Sequence, residues 1–333
     1  MRALLFAILA VAIGWSGYWF WGARATDQQM LAWFDAREAE GWVVNYTELN
    51  TAGFPNRFDT TLTDIELADP ETGLAWQAPQ FQILRLSYQP NHLIAVWPDS
   101  QIIATPEQHF TLGTSDMRGS LLVTDAQALR LERATITADG LTLSSSSGWS
   151  AAAAHMQLAL RQAPALGNSY DIAVNLTDLV LPDAWIASVP QAFGGDKLGQ
   201  TDLMAQVTFD APWDLAALDT ARPQPIAIEI SQARTRWGEL TLQAVGKLTA
   251  DENGQAEGQL SVKATNWEPM LSFAADSGAL PRELVPVMST GLNFLARLSG
   301  NPNSVEADLV FSAGRMSLGG VIPLGAAPNL RLR

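Results

Sequence analysis

Alternation of apolar and polar residues with a period of two runs through the second half of the chain and limits what it can fold into. Residues two apart fall on the same face of a β-strand, so such segments have one apolar face and one polar face. The clearest segments are 170–177, 202–209, 226–231, 240–249 and 259–265. Short polar turns join the last three of these, which predicts an antiparallel meander.

Because about a dozen segments show this one-sided pattern, their apolar faces need a cover. Leaving that surface in water costs roughly 25 cal/mol per Å². We predict a mainly β fold: an N-terminal transmembrane helix followed by a large antiparallel, curled or sandwich-like β-sheet domain with a few amphipathic helices. Two interpretations remain open. Either the apolar face of the sheet packs on other parts of the protein and the core is closed, or the sheet forms a groove whose apolar lining binds acyl chains.

An open groove would be lined by the apolar faces of the meander strands. The candidate lipid-facing residues are therefore Ile226, Ile228, Ile230, Leu240, Leu242, Leu260 and Val262. The helices available to cover these faces are a short segment after Asn266 and a longer one over 281–298.

An uncharged apolar run over residues 3–21 predicts a helix that crosses a membrane, because about 20 such residues span a hydrocarbon core of about 30 Å. Four aromatic residues crowd the distal end of the run. Trp and Tyr favour the headgroup level of a bilayer, so these residues are predicted to lie at the membrane interface. They are Trp15, Tyr18, Trp19 and Trp21.

A cleaved signal peptide is the alternative, and Ala23-Arg24-Ala25 resembles a cleavage site. The run is longer than a typical signal core and ends in bulky Trp19, Phe20 and Trp21, which favours an uncleaved anchor. We therefore predict a transmembrane anchor over 1–24 and a juxtamembrane helix over 25–41, capped by Thr26 and Asp27. A β-rich domain over 42–333 follows, with two lobes dividing near 163–200.

Charge and topology indicate the compartment. Arg2 at the start of the run favours a cytoplasmic N-terminus, which places the bulk of the chain in the periplasm of a single-pass bacterial inner-membrane protein. The net charge is −14, with 34 acidic and 20 basic residues, which disfavours nucleic acid as a partner. The predicted partners are the lipid bilayer, through the helix, and a phospholipid or another envelope protein.

The sequence offers no recognisable catalytic constellation. Its three histidines, His92, His109 and His155, stand in no zinc-binding motif, and the chain has no cysteine. We find no nucleophile elbow and no phosphate-binding loop, so no catalytic, cofactor-binding or metal-binding residue is predicted. A non-enzymatic protein is expected, and a hydrolase with a dispersed acidic site is the remaining enzymatic interpretation.

Three short motifs carry a family resemblance. They are the region 33–42, the stretch Gly53-Phe54-Pro55 with Arg57 and Phe58, and the closing stretch 318–325. With these motifs the chain resembles the domain-of-unknown-function 2125 family of alphaproteobacterial, inner-membrane-anchored envelope proteins. Gly53, Phe54 and Pro55 are expected to form a strand-entry turn, since proline fixes its own φ and restricts the residue before it.

The closing stretch is also similar to the C-terminal ends of AsmA-like envelope proteins. That resemblance implies a curled β-sheet with an apolar groove, associated with phospholipid traffic or outer-membrane biogenesis. This chain is much shorter than the bridge-forming members of that group, so it is not expected to span the periplasm alone. The expected function is lipid binding in a β-groove or assistance in envelope biogenesis, and the alternative is a closed-core protein that binds another envelope protein.

Overall fold

The computed structural model describes residues 1–124, 129–163, 167–182, 197–219, 222–276, 282–298 and 301–332. The chain forms two compact units. Unit 1 contains Met1–Gln127 and Ile136–Gly148, and unit 2 contains Ala128–Thr135 and Trp149–Arg333. The fold is mainly β and its described strand pairs are antiparallel, which confirms the predicted fold class. The lobe division predicted near 163–200 falls inside unit 2, partly outside the described residues.

One helix, α1 (Arg2–Ala39), contains both the predicted anchor and the predicted juxtamembrane helix without a break. Within the described residues it is the one helix long and apolar enough to cross a membrane. The predicted cap at Thr26 and Asp27 is wrong. The Thr26 hydroxyl donates to the main-chain oxygen of Gly22 inside the helix at 2.9 Å, and the helix ends before Gly41, which has a φ of +92°.

Unit 1 is an antiparallel arrangement built around the long hairpin of β3 and β4. Its strands are β1 (Val43–Asn45), β2 (Glu48–Ala52), β3 (Arg57–Asp69), β4 (Leu74–Leu86), β5 (Gln89–Trp97), β6 (Ser100–Ala104), β7 (His109–Gly113), β8 (Asp116–Val123) and β9 (Leu131–Ser145), the last of which enters unit 1 at Ile136. Strand β3 pairs with β1 and β2 on one side and with β4 on the other. Phe34 of α1 is buried against Val44, Leu62 and Ile65, so the helix is part of the core of this unit.

Unit 2 follows a meander with a helical interruption. Its strands are β10 (Ser150–Gln162), β11 (Ser169–Thr177), β12 (Leu179–Val180), β13 (Lys197–Phe209), β14 (Pro225–Trp237), β15 (Leu240–Ala250), β16 (Ala256–Thr265), β17 (Ser304–Ser312), β18 (Arg315–Leu318) and β19 (Ile322–Ala326). Its helices are α2 (Leu215–Asp219), α3 (Glu268–Asp276), a 3-10 turn (Arg282–Leu284) and α4 (Val285–Leu298). The pairing of β14 with β15 and of β15 with β16 confirms the predicted meander.

Three packed clusters of apolar side chains lie on the strands of unit 2. Trp267 and Leu271 from the α3 region, with Ala296 of α4, pack on Ala264 and Val305 of the sheet. A second cluster joins the strand residues Leu248 and Phe311 to Ala327 from the C-terminal segment, and a third gathers around the fully buried Tyr170. In the first two clusters the helices and the C-terminal segment supply part of the cover that the one-sided strands require.

Candidate functional site

A candidate site lies where α1 meets the loops at one end of the β3–β4 hairpin. Three aromatic side chains of the helix donate hydrogen bonds to three main-chain oxygens of these loops. Trp15 Nε1 donates to Pro55 at 2.7 Å, and Trp19 Nε1 donates to Arg57 at 2.7 Å. The Tyr18 hydroxyl donates to Ser87 at 2.8 Å. Each bond joins residues 38 or more apart in sequence, so the helix is fixed against the strands and does not act as a loose tether.

Aromatic stacking reinforces this contact. We refer to the residues involved as the aromatic collar: Trp15, Tyr18, Trp19, Phe20, Phe54 and Phe58. Trp19, 5% exposed, stacks on Phe58 with ring centroids 5.9 Å apart and meets Phe54 edge-on at 5.5 Å. Phe20 stacks on Phe54 at 5.9 Å. Offset and edge-on pairs of this kind add stability beyond the area that they bury.

A glycine permits the close approach of helix and hairpin. A Cβ atom on Gly22 would lie 2.6 Å from the Cζ atom of Phe58, whose side chain is buried. Real Cβ atoms do not come so near to a neighbouring ring, so a larger residue here would push the helix away from the strand. Gly22 thus has a packing role within the collar.

The loop that receives the helix joins β2 to β3, which confirms the predicted strand-entry turn. Gly53 has a φ of +103°, a value that residues with a side chain rarely adopt, and the Phe54–Pro55 peptide bond is cis. The Arg57 N–H donates to the Gly53 oxygen at 2.9 Å and closes the turn. The loop thereby presents the Pro55 and Arg57 oxygens to the two indole donors of α1.

A half-buried cation lies beside the collar. Arg85 Nη2 donates to Thr26 Oγ1 at 2.9 Å, and its guanidinium lies over the Phe58 ring, 5.3 Å from the centroid. Burial lowers the pKa of Arg85 and the nearby Tyr18 opposes that change. Because an arginine starts far above neutral pH, the group stays cationic and contributes a cation–π contact.

Further along the helix, a polar chain joins α1 to β2 and β3. The Thr51 hydroxyl donates to Asp27 Oδ1 at 2.6 Å and lies 2.8 Å from the Thr60 hydroxyl. Because the Thr51 hydroxyl donates its proton to the Asp27 carboxylate, the Thr60 hydroxyl is the donor in the bond between the two threonines. Thr51 and Thr60 are both buried, so each bond satisfies a polar group that water does not reach.

The structure brings three of the four predicted interface residues into one place. Trp15, Tyr18 and Trp19 all bind the loops of unit 1, and Trp21 is 72% exposed on the helix surface. Sequence reasoning placed Phe54 in a turn and did not connect it with the helix. The available signal was the Gly53-Phe54-Pro55 stretch, in which an aromatic residue stands between a glycine and a proline that restrict the turn.

A second feature is an open groove of about 680 Å³ on unit 2, lined by residues of β9, β10, β11, β13 and β14. Arg161 Nη2 donates to Asp171 Oδ2 at 2.8 Å, and Gln206 Nε2 donates to Asp171 Oδ1 at 3.0 Å. These two bonds hold the pKa of Asp171 below its ordinary range, with Arg161 the larger influence. Glu229 of β14 lies opposite Gln206 of β13, so charged and polar side chains line the groove together with apolar ones such as Ala173 and Met204.

The candidate lipid-facing residues are distributed over several environments. Leu240 is buried, and Leu242 packs on the cluster formed with α3 and α4. Ile228 packs on the cluster around Tyr170, and Leu260 packs on the cluster around Phe311. The other three are partly buried or exposed: Ile226 is exposed, and Ile230 and Val262 are half-buried.

The histidines do not gather into a site. His92 Nε2 lies 2.9 Å from the Ser120 hydroxyl, and the His109 main-chain N–H donates to Ser146. His92 and His109 belong to unit 1, whereas His155 is on β10 of unit 2. Among the residues whose positions are described, no group of three or more His, Asp or Glu side chains is placed to hold a metal ion.

Comparison with known families identifies the chain. A family model described as "Uncharacterized protein conserved in bacteria (DUF2125)" matches residues 19–328. The chain belongs to this family. The DUF2125 match includes Trp19, the loop with Phe54 and Pro55, and the strands of both units, so it takes in most of the collar and the whole groove. No curated protein and no solved structure matches the chain.

Proposed function

We propose that this DUF2125 chain is a non-enzymatic, single-pass protein of the bacterial inner membrane that presents its β units on the periplasmic side for a binding or assembly role in the envelope. One observation carries the proposal. The apolar helix α1 continues without a break from its first residues into the core of unit 1, where Phe34 is buried. Anchor and β unit therefore form one body.

The collar supports a position of this body at the membrane surface. A flexible linker would let a domain sample a wide distance from the bilayer. Here Trp15, Tyr18 and Trp19 join the apolar part of the helix directly to the strand loops. Unit 1 is then confined to the bilayer surface, which suits a role that depends on membrane proximity.

The second candidate function is the binding of a segment of another envelope protein in the groove of unit 2. Its lining includes Arg133, Arg161, Asp171 and Glu229, so it offers charges of both signs. The lining also includes Leu160, Ile172 and Met204, and such a mixed lining suits an amphipathic peptide segment better than acyl chains alone. Acyl-chain binding on the apolar face, which the resemblance to AsmA-like proteins implies, has weaker support because Leu240, Leu242 and Leu260 contact protein.

Fractionation of cells tests the anchor and its orientation. We expect the full-length chain to stay in the membrane pellet after alkaline carbonate extraction, with residues 1–21 present in its intact mass. Added protease should degrade the β units only after the outer membrane is opened. Release by carbonate, loss of the N-terminal segment, or protection in spheroplasts would contradict the proposal.

Photocrosslinking tests the groove separately. Met204 lines the groove and is exposed, so p-benzoylphenylalanine at this position can reach an occupant. Val245 on β15 is similarly exposed, does not line the groove and provides the matched control. A protein adduct from position 204 alone supports a protein partner, whereas a phospholipid adduct, or equal adducts from both positions, argues against it.

A further inference from the structure

We propose that the β2–β3 loop around Phe54 and the β4–β5 turn at Tyr88 are inserted into the headgroup and upper acyl region of the outer leaflet of the membrane that α1 crosses. The occupant of this surface is therefore the lipid bilayer itself. This proposal rests on the membrane anchor proposed above and adds the depth at which the loops of unit 1 lie in the bilayer.

The length of the helix on either side of the collar supplies the first argument. Residues 3–14, which precede the first collar residue, give about 18 Å of helix at about 1.5 Å per residue. A hydrocarbon core is about 30 Å thick, so residues up to about Trp21 are needed to cross it. A tilted helix covers still less depth, so tilt does not remove the deficit.

The loops of unit 1 lie beside the part of the helix that completes the crossing. Pro55, Arg57 and Ser87 are bonded to helix residues 15, 19 and 18, all before the end of the apolar run. Any placement in which α1 spans the core therefore brings these loops to the depth of the outer interface. Trp21 and Phe20 are exposed on the helix surface there, which leaves apolar area available to lipid.

The exposed side chains of the loops suit that depth. Phe54 is 52% exposed although it is large and apolar, and Tyr88 is 64% exposed. Aromatic rings of this type partition to the membrane–water interface. The Arg57 side chain is 56% exposed and its guanidinium is paired with Asp59, so an ion pair lies at the level of the lipid headgroups.

Backbone pairing supplies an independent argument. Non-helical backbone is tolerated near the hydrocarbon region only where its polar groups have partners. The oxygens of Pro55, Arg57 and Ser87 accept from side chains of α1, and the N–H groups of Arg57 and Ser87 donate to Gly53 and Asn56. These loop groups are thus satisfied without water, as a segment at this depth requires.

The absence of cysteine from the chain permits a direct test. Single cysteines at Phe54→Cys and Tyr88→Cys are labelled with the fluorophore NBD, and the full-length protein is reconstituted in phosphatidylethanolamine–phosphatidylglycerol vesicles. The matched control is Glu71→Cys, in the turn at the opposite end of the β3–β4 hairpin, about 40 Å away along a strand of about 3.3 Å per residue. Val11→Cys, on the exposed apolar helix, reports insertion of the anchor.

We expect lipids carrying a doxyl group near the headgroup to quench the labels at positions 54 and 88 at least threefold more than the label at position 71. Position 11 is read with a second lipid, whose doxyl group lies near the end of the acyl chain. Equal quenching at positions 54, 88 and 71, with strong quenching at position 11 by this second lipid, would overturn the insertion and leave the anchor intact. Weak quenching at position 11 by the second lipid would overturn both proposals. Tyr88→Cys removes a highly exposed side chain, so it gives a folded reporter even where Phe54→Cys perturbs the collar.

Discussion

The indole Nε1 of Trp19 donates a hydrogen bond of 2.7 Å to the main-chain oxygen of Arg57, so a residue of the apolar helix directly satisfies the first residue of β3. Trp19→Phe keeps an aromatic ring and removes the donor, which leaves that carbonyl unpaired beside a buried side chain. We expect a loss of about 1–3 kcal/mol in the free energy of unfolding. Urea unfolding in detergent measures this free energy, with near-ultraviolet circular dichroism as the signal. Trp21→Phe, at an exposed position, should change it by less than about 0.5 kcal/mol.

Gly22→Ala tests the close approach of helix and hairpin. The added methyl group would lie 2.6 Å from Phe58, and we expect a destabilisation of about 1–3 kcal/mol from overpacking. Gly17→Ala is the matched control, because nothing lies within 4 Å of its Cβ position and alanine favours a helix. Thermal unfolding of the two variants in the same detergent compares them. Equal melting temperatures would show that Gly22 has no packing role.

Thr51→Val tests the polar chain between α1 and the strands. The substitution keeps the shape and removes the hydroxyl that serves both Asp27 and Thr60, so we expect a loss of about 1–3 kcal/mol. Thr47→Val removes a hydroxyl that bonds to Asp64 on the exposed surface and should cost less than about 1 kcal/mol. A double-mutant cycle with Asp27→Asn should give a clear coupling energy for Thr51 and none for Thr47.

The ion pair in the groove predicts a pH dependence. The pKa of Asp171 is lower in the folded state than in the unfolded chain, so the unfolded state binds more protons in acid. The stabilisation is complete above the unfolded pKa of about 3.9 and is lost as the pH falls through the folded pKa. Asp171→Asn should therefore flatten the fall in stability below about pH 4.

Urea midpoints measured from pH 6 down to pH 3 test this slope. Arg161→Met removes the larger cause of the lowered pKa and should flatten the same part of the curve. An unchanged slope in both variants would show that the pair does not stabilise the fold.

Leu271→Ala tests the helical cover of unit 2. The Leu271 side chain is 8% exposed among Trp267, Ala296 and Val305, so truncation leaves a cavity and should cost about 2–5 kcal/mol. Val287 on α4 is 67% exposed, and Val287→Ala should cost less than about 0.5 kcal/mol. Chemical denaturation followed by intrinsic fluorescence distinguishes them. A similar loss of unfolding free energy in both variants would mean that α3 does not cover the apolar face of the sheet.

The strand faces of unit 2 are predictable from the sequence because alternation is a local property that the pleat of a strand enforces. The meander of β14, β15 and β16 follows from that pattern and from the polar turn at 251–254. The stretch 150–162 contains a run of alanines that favours helix, yet it pairs with β11 as a strand. There the tertiary pairing outweighs the local propensity.

The collar is not predictable from local pattern, since its members come together only in the folded chain. Trp15 and Pro55 are 40 residues apart, and nothing in either segment marks the other as a partner. The cap expected at Thr26 and Asp27 failed for the same reason. Their polar side chains are used within the helix and against Thr51, so the helix continues where local rules predict a start.

The unbroken length of α1 has a mechanical consequence. Its 38 residues form a rod of about 57 Å, at about 1.5 Å per residue, and unit 1 is fixed along the distal part of that rod. Bilayers accommodate a helix of mismatched length by changing its tilt, and a change of about 10° would displace the distal end by about 10 Å. With α1 in a bilayer as proposed above, the angle of unit 1 to the membrane would therefore follow the membrane thickness.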